Sequence, residues 1–147
     1  MSTRWALFER FDVPDLDRPE RTYLTRWRIV KTPWFGIFVH RFKGPDTRPT
    51  LHDHPWSFVS FVLRGGYDEV TTYTLPLGRR IRRVNVKRLG DVHYITRLHR
   101  VPTWTLMFVG PNRRDWGYID RDGTWTRFDL HPHAQEFDRA MARREAL

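Results

Sequence analysis

The sequence predicts an all-β fold, a sandwich or barrel, followed by one C-terminal α-helix. Three observations carry this expectation. Short runs rich in β-branched and aromatic residues recur along the chain, turn signals separate them, and no helical period lies between them.

In chain order the runs are Tyr23 to Val30, Trp34 to Phe42, Ser57 to Leu63, Tyr67 to Tyr73, Ile81 to Arg88, Val92 to Ile95, Trp104 to Val109, Trp116 to Ile119 and Thr124 to Phe128. The turns between them include Lys43-Gly44-Pro45-Asp46, Gly65-Gly66, Leu77-Gly78, Gly110-Pro111-Asn112 and Asp122-Gly123. A parallel α/β arrangement needs helices between its strands and does not fit. The segment before Tyr23, with Pro14, Asp15, Asp17 and Pro19, reads as an ordered arm or a short helical turn. His133 to Glu145 lacks Gly and Pro and sets Phe137 and Met141 four residues apart on one helical face. Arg143 and Arg144 near its end suit the negative pole of the helix dipole, and the helix is expected to pack outside the barrel. With 147 residues, 39% of them hydrophobic, the chain has material for one core. One domain is therefore expected, a barrel over about 23–130 and a helix over about 133–146.

Phe58 to Leu63 and Trp104 to Val109 are the longest apolar runs, far short of the roughly 20 residues of a membrane span. Met1 to Arg10 carries Glu9 and has no long apolar stretch, unlike a signal peptide, so a soluble, cytoplasmic protein is expected. The absence of cysteine excludes disulfides, thiolate zinc sites and a cysteine nucleophile, which leaves histidines and carboxylates as metal ligands. The formal charge is +9, carried mainly by arginine. It favours anionic partners, but arginine enrichment also follows genome base composition, so charge alone selects no function.

The most informative stretch is Leu51-His52-Asp53-His54-Pro55-Trp56-Ser57, which runs on to Gly65-Gly66. Histidines two apart on an extended strand point to the same side, so their imidazoles can converge on one ion. A third ligand must come from elsewhere. Gly90-Asp91 opens a strand that runs through His93 to Leu98-His99-Arg100-Val101, and His99 is the expected third ligand.

On these residues, over about Phe35 to Pro111, the sequence resembles the cupin superfamily, whose first motif is His-x-His followed by Glu and a strand ending in Gly. The second cupin motif is Gly-Asp, a strand, then His. The resemblance implies a single double-stranded β-helix, or jelly-roll, barrel. Ser57 stands where many cupins place a ligand glutamate, so a site of three histidines, His52, His54 and His99, is expected. That pattern looks like the thiol dioxygenases, which hold iron(II) on three histidines and have a segment similar to Leu98-His99-Arg100-Val101. Their auxiliary His and Tyr align near Met107 and Val109, which cannot make the same hydrogen bonds, so a cysteine substrate is not implied. The resemblance implies a divalent transition metal, iron(II) first, with zinc, manganese and nickel as alternatives.

His40 and His93 read as structural, since strand alternation turns His93 away from Val92 and Tyr94. His131 and His133 read as a surface turn. Ser57, Glu69 and Tyr94 are candidate catalytic groups for orienting water or substrate, with Glu69 expected at an exposed or pocket-rim position above the metal. Arg26, Arg28 and Arg41 are candidate substrate clamps for a small anionic ligand. The basic stretch 79–88 is the strongest sequence candidate for an acidic partner, but no nucleic-acid motif accompanies it and an ordinary charged hairpin is the simpler reading. By the cupin resemblance, a homodimer through edge strands is open. The functional expectation is a mononuclear iron(II) oxygenase or dioxygenase-like enzyme acting on a small anionic substrate. A non-catalytic ligand-binding cupin and a sugar or acid isomerase stand as alternatives.

Overall fold

The computed structural model describes residues 5–146; residues 1–4, where the stretch read for a signal peptide begins, and residue 147 lie outside that range. The elements are β1 (Ala6–Pro14), β2 (Thr22–Lys31), β3 (Gly36–Phe42), β4 (Leu51–His52), β5 (Phe58–Arg64), β6 (Tyr67–Thr71), β7 (Arg79–Ile81), β8 (Val84–Lys87), β9 (His93–Leu98), β10 (Thr103–Val109), β11 (Gly117–Ile119), β12 (Trp125–Arg127) and α1 (Pro132–Glu145). They form two six-stranded antiparallel sheets, in the order β1-β2-β3-β10-β5-β8 and β12-β11-β4-β9-β6-β7. No helix is long and apolar enough to cross a membrane among the described residues.

Three expectations need correction. The arm before Tyr23 is a strand, with β1 paired to β2 from Ala6 opposite Lys31 to Pro14 opposite Thr22. Leu7 and Phe8 are 70% and 74% exposed, so backbone pairing holds its first half, while Val13 packs on the core and Pro14 is buried. The run Ile81 to Arg88 is two strands, because the chain bends at Arg82-Arg83 and leaves one sheet for the other. His131 is no surface turn: it is buried, its backbone is extended, and its ring accepts the His133 N–H as the N-cap of α1. Pro132 follows in the first turn, where a missing N–H costs nothing.

Strand alternation sorts the two faces. Along β3, Gly36, Phe38, His40 and Phe42 are buried while Ile37, Val39 and Arg41 are partly open; β10 buries Thr103, Thr105, Met107 and Val109 in the same way. The apolar core falls into two clusters. Leu24, Phe42, Tyr67, Ile81 and Ile95 form one, and Phe38, Phe58, Met107 and Val109 the other, with Trp56 against it. Polar side chains are buried with them, among them His40, Glu69, Asn85, Lys87 and His93.

The His52-Asp53-His54 segment is pinned by Asp53, which is 2% exposed. Its carboxylate accepts the Gly117 N–H at 2.7 Å and the Trp125 indole N–H at 3.2 Å, and pairs with Arg114 at 2.8 Å. Gly117 must remain glycine, because a Cβ there would collide with the Thr126 carbonyl oxygen, a backbone atom that cannot rotate away. Gly117→Ala is expected to cost about 1–3 kcal/mol through overpacking. Chemical denaturation checks this, and unchanged stability would show that the β11–β12 hairpin yields.

Candidate metal centre

His52 closes β4 and stands opposite His93, the first residue of β9, in the sheet register. His54 lies two residues on, across the buried Asp53. The ring centroids are 5.3 Å apart for His52 and His54, 5.0 Å for His52 and His93, and 5.2 Å for His54 and His93. The three offer ligand nitrogens all within 4.8 Å of one another.

Hydrogen bonds outside the triangle set the tautomers. His93 Nδ1 is 2.7 Å from Glu69 Oε2. A carboxylate only accepts, so Nδ1 carries a proton, and Nε2 is the nitrogen whose lone pair the neutral ring offers. That Nε2 lies 3.0 Å from His54 Nε2. Two nitrogens about 2.1 Å from one ion and at right angles are about 3.0 Å apart, so this pair has the spacing of adjacent ligands. His52 Nδ1 faces the Thr50 carbonyl at 3.4 Å, an orientation that leaves Nε2 for the cluster. Burial, reinforced by His93, pulls the His52 pKa down to about 4. Burial, followed by His93, His52, Arg26 and His40, holds His54 well below its ordinary value. Both are therefore neutral near pH 7, the form that ligates. Among the described residues no carboxylate joins this group, so its chemistry is that of imidazoles able to hold a divalent transition metal.

Glu69 is not at a pocket rim but fully buried. Besides His93, it receives Lys87 Nζ at 2.7 Å, Arg79 Nε at 2.8 Å and Asn85 Nδ2 at 3.0 Å. Burial alone would raise its pKa. The His93 hydrogen bond and the Lys87 ammonium outweigh that and hold the carboxyl far below the usual range. Glu69 thus orients a cluster histidine, as a carboxylate behind a metal-bound imidazole does.

The structure does not bring His99 to His52 and His54. His99 lies six residues beyond His93, a separation of about 20 Å along an extended chain, so one strand cannot bring both to the same ion. Its Nε2 is bonded to Asp68 at 2.6 Å beside Arg97. His93 and His99 share one side of β9, the side on which His93 and Ile95 are buried while Tyr94 points the other way, and the sequence reading chose the wrong position along it. The Gly90-Asp91 turn, two residues before His93, was the available signal.

Of the remaining candidates, Ser57 accepts the Leu89 N–H at 3.0 Å and ties two loops together at the surface. Arg28 pairs with Glu9 at 2.9 Å. Arg41 lies on the outer face, its guanidinium 5.7 Å from the ring centroids of both Trp27 and Trp104. Arg26 faces inward. Its Nε donates to the buried His40 Nε2 at 2.9 Å, its Cζ lies 5.9 Å from the Phe38 ring, and no carboxylate pairs with it among the described residues. Burial, then the charge of Arg28, lowers its pKa to about 10, and burial and Arg26 hold His40 neutral. In the register Arg26, His40 and Thr105 occupy one row on β2, β3 and β10, and the buried Thr105 hydroxyl has no partner. Sequence reasoning read His40 as structural and passed over Thr105, which has no motif to mark it.

No family model matches the sequence, and no curated protein matches it. Solved structures do. The chain is similar to an RmlC-like cupin from Shewanella frigidimarina, with 15% identity and TM-score 0.52 over 73% of this chain and 86% of that one. It is similar to KdgF from a Halomonas species, with 17% identity and TM-score 0.51 over 74% and 96%. A cupin 2 conserved barrel domain protein from Rhodopseudomonas palustris matches with 13% identity and TM-score 0.54 over 68% and 69%. At such identities the likeness defines the fold. The chain has the cupin fold, the double-stranded β-helix barrel expected from its paired motifs.

Proposed function

We propose that this protein is a mononuclear iron(II) oxygenase of the dioxygenase-like kind, which acts on a small substrate bearing a carboxylate or similar anion. His52, His54 and His93 would hold the metal, and the convergence of their three imidazoles is the observation that carries this reading. Bound iron(II) supplies redox chemistry toward dioxygen at the coordination positions that three imidazoles leave open. Arg26 is the anchor for the anion. A half-buried guanidinium on the inner face with no carboxylate beside it is unfavourable, and an anionic ligand would relieve that cost. His40 holds Arg26 Nε and leaves the Nη edge for the ligand, and the unpartnered Thr105 hydroxyl in the same row offers a further hydrogen bond.

The same side chains argue against an isomerase. Proton abstraction needs a base poised near neutrality. Glu69 is locked by four donors and held ionised, the His40 Nε2 lone pair is taken by the Arg26 N–H, and burial pushes Tyr118 up to about 12. Iron-loaded protein should consume oxygen with one or more members of a panel of small carboxylates. Arg26→Gln should raise KM for that substrate at least tenfold while metal content stays unchanged. Turnover of the same substrate without oxygen would overturn the oxygenase reading, and an unchanged KM would remove Arg26 from it.

A further inference from the structure

We propose that the outer face of the first sheet, continued around the barrel end past Gly65, binds single-stranded nucleic acid. Alternation puts Trp27, Arg41 and Trp104 on the face opposite Arg26, His40 and Thr105. The two indoles stack with centroids 5.5 Å apart and planes 10° from parallel. Arg41 lies over both, Arg10 sits 5.9 Å from the Trp27 centroid, and Arg64 stands opposite Trp104 in the register. Arginine and tryptophan thus alternate from β1 across β2, β3 and β10 to β5, a path of about 19 Å at the usual strand spacing. Directly after Arg64, Gly65 borders a shallow cavity of about 480 Å³ lined also by Arg80, Arg82, Arg97 and His99. On the same outer face, Phe61 and Phe108 meet edge to face at 6.0 Å and are 40% and 43% exposed.

The charges on this path are incompletely neutralised. Asp12 pairs with Arg10, and Asp68 serves Arg80, Arg97 and His99. Arg41, Arg64 and Arg82 have no acidic partner among the described residues, and Arg41 Nε is buried without an acceptor. A guanidinium laid against indoles is held flat, with its outer N–H edge available to a phosphate. Aromatic rings beside such a row suit unstacked bases, because every base has a π-face and stacking tolerates any sequence. A duplex hides those faces. A second copy of the chain fits less well, since an isologous contact through this row would set arginines against arginines on a protein whose formal charge is +9.

The test is anisotropy of a labelled oligouridylate titrated with the whole protein, with and without added metal. Binding should be saturable, and log K should fall against log salt by about 0.7 per phosphate contacted, or about 3 for contacts from Arg10, Arg41, Arg64 and Arg82. Arg41→Gln and Arg64→Gln should each remove one such contact from the slope. Trp104→Ala should weaken binding about tenfold or more, with circular dichroism confirming its fold. Arg64→Gln keeps the test decisive if the tryptophan variant unfolds, because Arg64 is exposed. Arg139→Gln, the same charge change on the exposed face of α1, should leave binding unaltered. Four results would each overturn the proposal. They are absence of saturable binding, equal losses for Arg139→Gln and Arg41→Gln, equal competition by inorganic polyphosphate with no effect of Trp104→Ala, or a dimer whose dissociation requires changes on this face and which excludes the oligonucleotide.

Discussion

His93→Ala should abolish tight metal binding, while His99→Ala should leave it intact. His93 supplies one of three converging imidazoles, and its ring is already oriented by Glu69. Loss of an outer carboxylate partner alone costs about 10- to 100-fold in affinity, so loss of the ligand itself should exceed that. His99 contributes to a surface ion cluster with Asp68, and its removal should change metal affinity by less than twofold. Titration of untagged protein with cobalt(II) separates the two variants. The fold should survive His93→Ala, since Glu69 keeps Lys87, Arg79 and Asn85 as donors. Retention of metal by His93→Ala and its loss from His99→Ala would reverse the assignment.

The second large effect is on stability. Glu69→Leu would leave the Lys87 ammonium, only 4% exposed, without its counter-charge. Breaking one side of a buried pair costs about 3–5 kcal/mol, a fall in Tm on the order of 10 °C for a chain of this size. Pairing it with Lys87→Met should restore most of that stability, because a buried ion pair can be replaced by apolar groups of similar volume. Metal affinity should stay reduced in the double variant, since nothing then orients His93. A Glu69→Leu protein as stable as the wild type would mean that the network carries no net charge pairing. Full recovery of metal affinity in the double variant would mean that Glu69 acts only on the fold.

Much of the barrel was legible because its strands carry their own signals. β-Branched and aromatic runs with turn residues between them placed β2, β3, β5, β6 and β10, and an uninterrupted helical stretch placed α1. What escaped depended on partners remote in sequence. β1 holds by its register with β2, whereas its own pattern, with Glu9, Arg10 and Asp12 among the apolar residues and Pro14 at its end, names no partner. His52 and His54 were readable because a two-residue spacing on one strand fixes a common side. The third histidine was not, because His93 and His99 are an even number of residues apart and alternation gives both the same side; the pairing of His52 with His93 across β4 and β9 decides between them. Glu69 was misread for a related reason. A carboxylate mid-strand looks exposed until Lys87, Arg79, Asn85 and His93, contributed by β7, β8 and β9, are seen to enclose it.

Crystals of untagged protein grown with cobalt(II), measured at the cobalt absorption edge, put the coordination itself on view. The account predicts one strong anomalous peak inside the barrel, about 2.1 Å from a ring nitrogen of each of His52, His54 and His93. A peak at His99, or a metal-soaked crystal with none inside the barrel, would contradict it.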